Sequence, residues 1–396
     1  MKRALPLCLA LAFLGSGAAA QTDPTANAWA THTTTERAPM APDALSATLL
    51  AACGVPDQGL QTAAAELAAL KAAGNEPPTP DTLQEHLHRA GSPWVWPRAW
   101  FAEAQGLTPE STTPKLIPFL GPVTPGLERR CGVGRARNAA GADVVAVLAA
   151  TAHGTLKPLP LRQRTGQWVD LDATLRASSV YGARVVITGP RRKPRDLPTS
   201  VHNGQIRARF PLPEPGRFVV QVLGDFAEGP RPIFETVLFA DVPPQGPAEL
   251  AAPGEPLVDG ANTNASDLFS ALNAARTDAG VAALRRDPEL DALALAHAES
   301  MRARKQVAHD VGTGSPRQRT DNAGLALREV GENVAHGKNL RLAHRALYDS
   351  PSHRLNLLRD TFRRVGIGVV RDDDGTVWAC ELFGSPSRRG GVPAGA

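Results

Sequence analysis

The spacing of apolar positions changes twice along the 396-residue chain, and each change marks a different kind of element. Between residues 43 and 106 apolar residues recur at helical intervals. "LQTAAAELAALKAAG" ends at Gly74, and "TPDTLQEHLHRAG" opens with Thr79 as cap and Pro80 at the first helical position before stopping at Gly91. This predicts a small helical unit that closes in "SPWVWPRAWF", where Trp94, Trp96 and Trp100 are read as packing onto the next domain. His86 and His88 flank Leu87, so on a helix they point apart and make a poor metal site.

From about residue 128 to 242 the pattern shifts to short apolar runs, among them "DVVAVLAATAHG", "ARVVITGP", "GRFVVQVLGDF" and "IFETVLFADV". Gly, Pro, Asn and Asp clusters separate them at spacings suited to antiparallel strands, which predicts a β-sandwich-like domain without a catalytic constellation. A Pro/Gly-rich stretch beginning "PPQGPAELAAPGEP" reads as a linker. Helical spacing then returns. "NASDLFSALNAARTDAG" places Leu268, Leu272 and Ala275 on one face, and "RDPELDALALAHAESMRAR" has Asp287 as cap, Pro288 at the first helical position and His297 at the edge of an apolar stripe. The loop "AHDVGTGSP" and the segment "VGENVAHGKN" follow, then a helix through "LRLAHRALYDS". The chain closes with a hairpin made of "RVGIGVV", the turn "RDDDG" and "TVWACELFG". The three aspartates of that turn lack the spacing of an EF-hand and read as solvated turn residues.

The expected organisation is a multidomain α+β chain. It comprises a leader over 1–20, a tether over 21–42, a helical unit over 43–127, the β-sandwich-like domain over 128–242, the linker over 243–262, a C-terminal domain over 263–385 and a flexible tail over 386–396.

Composition refines this picture. A hydrophobic content of 42% and a charged content of 21% describe a globular chain rather than a disordered one. The opening "MKRALPLCLALAFLGSGAAA" has a basic start, a short apolar run and small residues before Gln21, the pattern of a secretory signal peptide cut after Ala20. The run is too short to span a bilayer, no later segment is long enough, and a periplasmic or secreted location is expected. Without Lys2 and Arg3 the formal charge falls from +4 to +2, which points to no nucleic-acid partner. The basic cluster Arg191-Arg192-Lys193 with Arg195 reads as a solvated loop. In an oxidising compartment the Gly-flanked Cys53 and Cys131 are the expected disulfide, with Cys380 a buried thiol inside a strand.

Candidate chemistry gathers in the last third. In "SPSHRLNLL" a helix starting after Pro351 holds His353 in its first turn, where the positive dipole end biases the imidazole toward its neutral form. Taken in order, "LNAARTDAGVAALRRDPELDALALAHAESM", the histidine of "AHDVGTGSP", "GENVAHG", "SPSHRLNLL" and "VGIGVV…VWACELFG" resemble the bacterial branch of the CAP superfamily, the SCP-like extracellular proteins, over about residues 264–385. The resemblance implies an α-β-α sandwich with a cleft of paired histidines and acidic residues. By motif these are His309, Glu332 and His353, with Asn333 beside the acid. Where relatives outside the bacterial branch carry a second glutamate, this chain offers Ser350, at the head of "SPSHR".

Two imidazoles and a carboxylate could hold a divalent metal such as zinc through His309, His353 and Glu332, could work with Glu332 as general base, or could form a structural hydrogen-bond cluster. No HExxH or GxSxG pattern and no Cys-His signature supplies a nucleophile. The first functional reading is a secreted CAP-domain module whose cleft binds a small molecule, lipid or cell-envelope component. A metal-assisted hydrolase of peptide or envelope polymer is the second, and an adhesion or structural protein acting through the β-sandwich is the third.

Overall fold

The computed structural model describes residues 29–39, 43–176, 180–190, 193–227, 229–246 and 251–386. The expected leader with its cut after Ala20, the pair Arg191 and Arg192, and the tail from residue 387 lie outside them. Among the described residues no helix is long and apolar enough to cross a membrane.

The first region holds α1 (Ala44–Cys53), β1 (Val55–Pro56), α2 (Gln58–Ala72), α3 (Pro80–Arg89), β2 (Arg98–Ala104), α4 (Pro109–Leu120), β3 (Glu128–Arg137) and β4 (Asp143–Ala152). Each helix starts where the sequence supplies a cap: Asp43 accepts from Ser46 N, Asp57 from Leu60 N, and Thr108 forms a capping box with Ser111. The four strands make one sheet in the order β1-β3-β4-β2, so the sheet runs across the boundary expected at residue 127. The physical reason is β2. Its residues pair with β4 from Arg98↔Ala149 to Ala104↔Asp143 and bring the Trp100 segment into the sheet instead of leaving it at the end of a helical unit. Helix α2 lies directly on β3, because a Cβ at Gly132 or Gly134 would stand 2.1 Å from helix backbone atoms. Cys53 and Cys131 are disulfide-bonded, joining the end of α1 to β3.

The second region carries β5 (Gly154–Leu156), β6 (Arg162–Gln163), β7 (Trp168–Leu175), β8 (Gly182–Thr188), β9 (Pro194–Leu197), β10 (Thr199–His202), β11 (Gln205–Pro211), β12 (Gly216–Phe226) and β13 (Gly229–Ala240). They form two sheets, β10-β11-β7-β5 and β6-β13-β12-β8-β9. Val169, Leu171, Ile206 and Phe210 of the first sheet and Val185, Ile187, Phe218 and Val220 of the second bury into one core. That core also takes in Leu60 and Leu67 of α2 and Trp94, whose Nε1 donates to Asp57 Oδ2 at 2.8 Å. The stretch 29–39, expected as part of a tether, is stitched down: Trp29 meets Phe239 edge-on at 5.0 Å, and the Thr33 hydroxyl accepts from Leu159 N at 2.9 Å.

The third region contains a 3-10 turn over Glu255–Val258, α5 (Ala265–Asp278), β14 (Arg285–Arg286), α6 (Pro288–Arg304), α7 (Pro316–Asn322), β15 (Leu327–Gly337), α8 (Leu340–Asp349), α9 (Pro351–Leu357), β16 (Arg364–Arg371) and β17 (Val377–Pro386). Its sheet runs β14-β16-β17-β15. One face packs Val334, Trp378, Cys380 and Leu382 against Leu290, Ala294 and Met301 of α6. The other packs Ile367, Ala379 and Phe383 against Leu268 and Leu272 of α5 and Leu340 and Tyr348 of α8. The close seat of α6 again depends on glycine: a Cβ at Gly366 would stand 2.0 Å from Leu290 C. The stretch expected as a free linker enters this core through Ala252 and Val258, and Glu255 forms an ion pair with Arg345. Its apolar residues are spaced to meet α5, which a Pro/Gly-rich composition alone hides.

Candidate functional site

Glu332 and Asn333 are neighbours on β15, so the alternation of a strand sends their side chains to opposite faces of the sheet. On the α6 face, Glu332 is buried and both of its oxygens are taken. Oε1 accepts from His309 Nδ1 at 2.9 Å, and Oε2 is bonded by Arg319 Nη2. The loop bearing His309 is itself fixed. One oxygen of Asp310 accepts from the backbone N–H groups of Gly312, Thr313 and Gly314, and Arg319 Nη1 donates to the His309 carbonyl at 2.8 Å. Arg319 reaches inward because α7 begins at Ser315, whose hydroxyl forms a capping box with Gln318. His297 lies behind, its Nε2 2.9 Å from the Ala308 carbonyl and 3.8 Å from Glu332 Oε1. The Cys380 thiol approaches Glu332 Oε2 at 3.5 Å.

Burial by itself would raise the Glu332 carboxyl, but the His309 hydrogen bond and the charges of His309, Arg319 and His297 outweigh it and hold the group below the ordinary carboxylate range. Burial, aided by Glu332, pushes the Cys380 thiol well up, so it is a protonated neighbour and not a nucleophile. Burial also keeps His297 low against the pull of Glu332.

On the opposite face, Asn333 Nδ2 donates to the His353 carbonyl at 3.1 Å and to Glu381 Oε2 at 3.0 Å. Asn356 Nδ2 donates to Asn333 Oδ1 and to the Glu332 carbonyl, both at 3.1 Å. These bonds fasten α9 to β15 and fix where His353 stands. Its imidazole is half-buried, and among the described residues its ring nitrogens have no hydrogen-bond partner. Burial first, and then the neighbouring His309, push it down to about 3 against the opposing charge of Glu235, so it is neutral at any physiological pH. Glu381 is fully buried with Asn333 as its partner at Oε2 and none at Oε1 among the described residues, and burial raises it to about 7.

Of the residues singled out from sequence, His309 and Glu332 touch directly, Asn333 ties down the backbone of His353, and the His353 ring stands near His309 without a bond to either. Glu332 is committed to an arginine and a histidine, and among the described residues no three His, Cys, Asp or Glu side chains gather so as to hold an ion. Sequence reading missed Arg319, Asn356 and Glu381. Arg319 sits four residues after its Ser-Pro cap, a spacing that says only that it is one turn into a helix. Glu381 is hidden as the single charge inside an apolar run.

A family model described as CAP, the cysteine-rich secretory protein family, matches residues 269–382. The uncharacterized protein YkwD of Bacillus subtilis (strain 168) is 31% identical over 114 residues, covering 28% of this chain and 44% of that protein. The chain therefore spans less than half the length of this curated relative. Among solved structures, an outer surface protein of Borrelia burgdorferi is 22% identical with a TM-score of 0.30, over 31% of this chain and 92% of that one. An extracellular protein containing a SCP domain from Bacillus anthracis str. Ames is 15% identical with a TM-score of 0.29, over 59% and 67%.

Proposed function

Starting from a CAP domain in residues 269–382, we propose that this is a secreted protein that binds an uncharged polar ligand of the cell envelope, without a metal, at the cleft of His309, Glu332, Asn333 and His353. The observation that carries the reading is the contrast between Glu332 and His353. The carboxylate is fully engaged, whereas the neutral imidazole keeps its ring nitrogens without a partner among the described residues. A neutral imidazole offers one donor and one acceptor, which suits a hydroxyl or amide group of an envelope polymer. The leader pattern of the first 20 residues supports placing that ligand outside the cytoplasm.

The same geometry weighs against hydrolysis. A general base must be free to accept a proton near neutral pH, and Glu332 is held ionised by Arg319 and His309. Turnover of peptide or envelope polymer that disappears in Glu332→Gln would establish the hydrolase reading instead. The binding reading is tested by calorimetric titration of the mature chain with soluble muropeptides. One site per chain is expected, weakened at least tenfold in His353→Gln. Absence of binding, or undiminished binding in the variant, contradicts it.

A further inference from the structure

The CAP region carries the histidine of the cleft on α9, yet α9 is also where the two-sheet region makes contact. The N–H of Ser352, adjacent to His353, donates to Gln221 Oε1 of β12 at 3.0 Å. The same Gln221 donates through Nε2 to Glu235 Oε2 of β13, and Glu235 Oε1 is met by His88 Nε2 of α3 at 2.9 Å. Arg217 Nη2 donates to Glu85 Oε2 at 2.9 Å, and Glu85 stands 3.6 Å from His88 Nδ1. Gln221, Glu235 and His88 are all buried. A buried amide can present its oxygen to one partner only if its nitrogen is held by another, and Glu235 supplies that hold.

We propose that the cleft is braced across the domain boundary: Glu235 of the two-sheet region acts as a positioning residue for His353 by orienting Gln221 onto the first turn of α9. The inference rests on the cleft being the binding site. Glu235 lies close enough for its charge to act on His353, opposing the depression caused by burial and by His309. It is kept ionised despite burial by the His88 hydrogen bond and charge and by the bond from Gln221. The local arrangement mirrors the other side of the cleft. There a buried glutamate is shared between a histidine and a second N–H donor, His309 and Arg319; here the pair is His88 and Gln221.

The test needs no ligand, so its outcome is separate from that of the muropeptide titration. The mature chain is treated with diethyl pyrocarbonate, which modifies neutral imidazole, and the rate at His353 is read by peptide mass spectrometry between pH 5.5 and 7.5, with the rate at His309 and circular dichroism as controls for folding. In the native chain the His353 rate, corrected for reagent decay, is expected to be slow and flat with pH. Gln221→Met and Glu235→Leu, which release α9 from its brace, are each expected to raise it at least fivefold across the pH range. Glu235→Gln, whose amide oxygen can still accept from Gln221, is expected to stay within twofold of the native rate. A native rate at His353 in a folded Glu235→Leu variant would overturn the proposal, and so would a Glu235→Gln variant as reactive as Glu235→Leu. The two Glu235 variants decide the matter even if Gln221→Met does not fold.

Discussion

Glu332 and Glu381 lie on neighbouring strands of one sheet, both fully enclosed, and their carboxyls are shifted in opposite directions. Glu332 faces α6 and is shared by His309 and Arg319, which hold it ionised. Glu381 is one strand over, paired in register with Asn333, and meets only an amide. Its carboxyl is raised by burial to about 7. The difference teaches that enclosure alone says little about what a buried carboxyl does; the partner decides. On the Glu332 face a charge anchors the loop of His309. On the Glu381 face a group poised to be neutral helps hold the amide that fastens α9 and, with it, His353.

The largest effect should come from taking away the charge that Glu332 depends on. Arg319→Met leaves a buried carboxylate with only His309 and the weak Cys380 thiol as partners, and denaturant unfolding should show a loss of about 3–5 kcal/mol. A change within about 1 kcal/mol would mean that the two faces do not differ in the way described.

The opposite sign is expected across the sheet. The folded-state value of Glu381 lies above its unfolded value, so the folded chain binds more protons between the two. Stability therefore falls as pH rises from the ordinary carboxylate range toward about 7 and then levels. Glu381→Gln should remove this dependence and stabilise the protein by about 2–3 kcal/mol at pH 8, with no gain at pH 4. A loss of stability at pH 8 would show that the carboxyl is ionised and paired after all.

His353 should give the smallest effect. Its value is depressed in the folded state, so the stability present above the unfolded histidine value is lost as pH falls from about 6.5 toward about 3. His353→Gln should lessen the acid-induced loss by about 2 kcal/mol at pH 5, read from melting curves at pH 5 and pH 8. An equal loss in the variant would place the imidazole in solvent.

These contrasts also mark what the sequence makes legible. Helix starts are written locally, and Asp287 with Pro288 and Thr79 with Pro80 appear where caps and first-turn prolines predict them. The closing hairpin is equally plain, with Arg371 opposite Val377 around the turn. His309, Glu332 and His353 are recoverable because each belongs to a short motif in order. Other features depend on segments far apart in the chain. Strand β2 reads locally as the aromatic end of a helical unit because its partner, β4, begins 39 residues after Ala104 at Asp143. Arg319 gains its meaning from a carboxylate 13 residues away on another element, and Gln221 from a helix 131 residues on. Local periodicity carries no information about such pairings.

The reading proposed for the His/Glu cleft is an ion-paired site that works without a metal and whose open group is His353. The most direct test is calorimetric titration of the metal-stripped mature chain with zinc at pH 7, beside a His309→Ala/His353→Ala double variant. The account predicts that the native chain shows no stoichiometric zinc site that the double variant lacks. One zinc per chain, lost in the double variant, would contradict it and make Glu332 and the two histidines a metal centre.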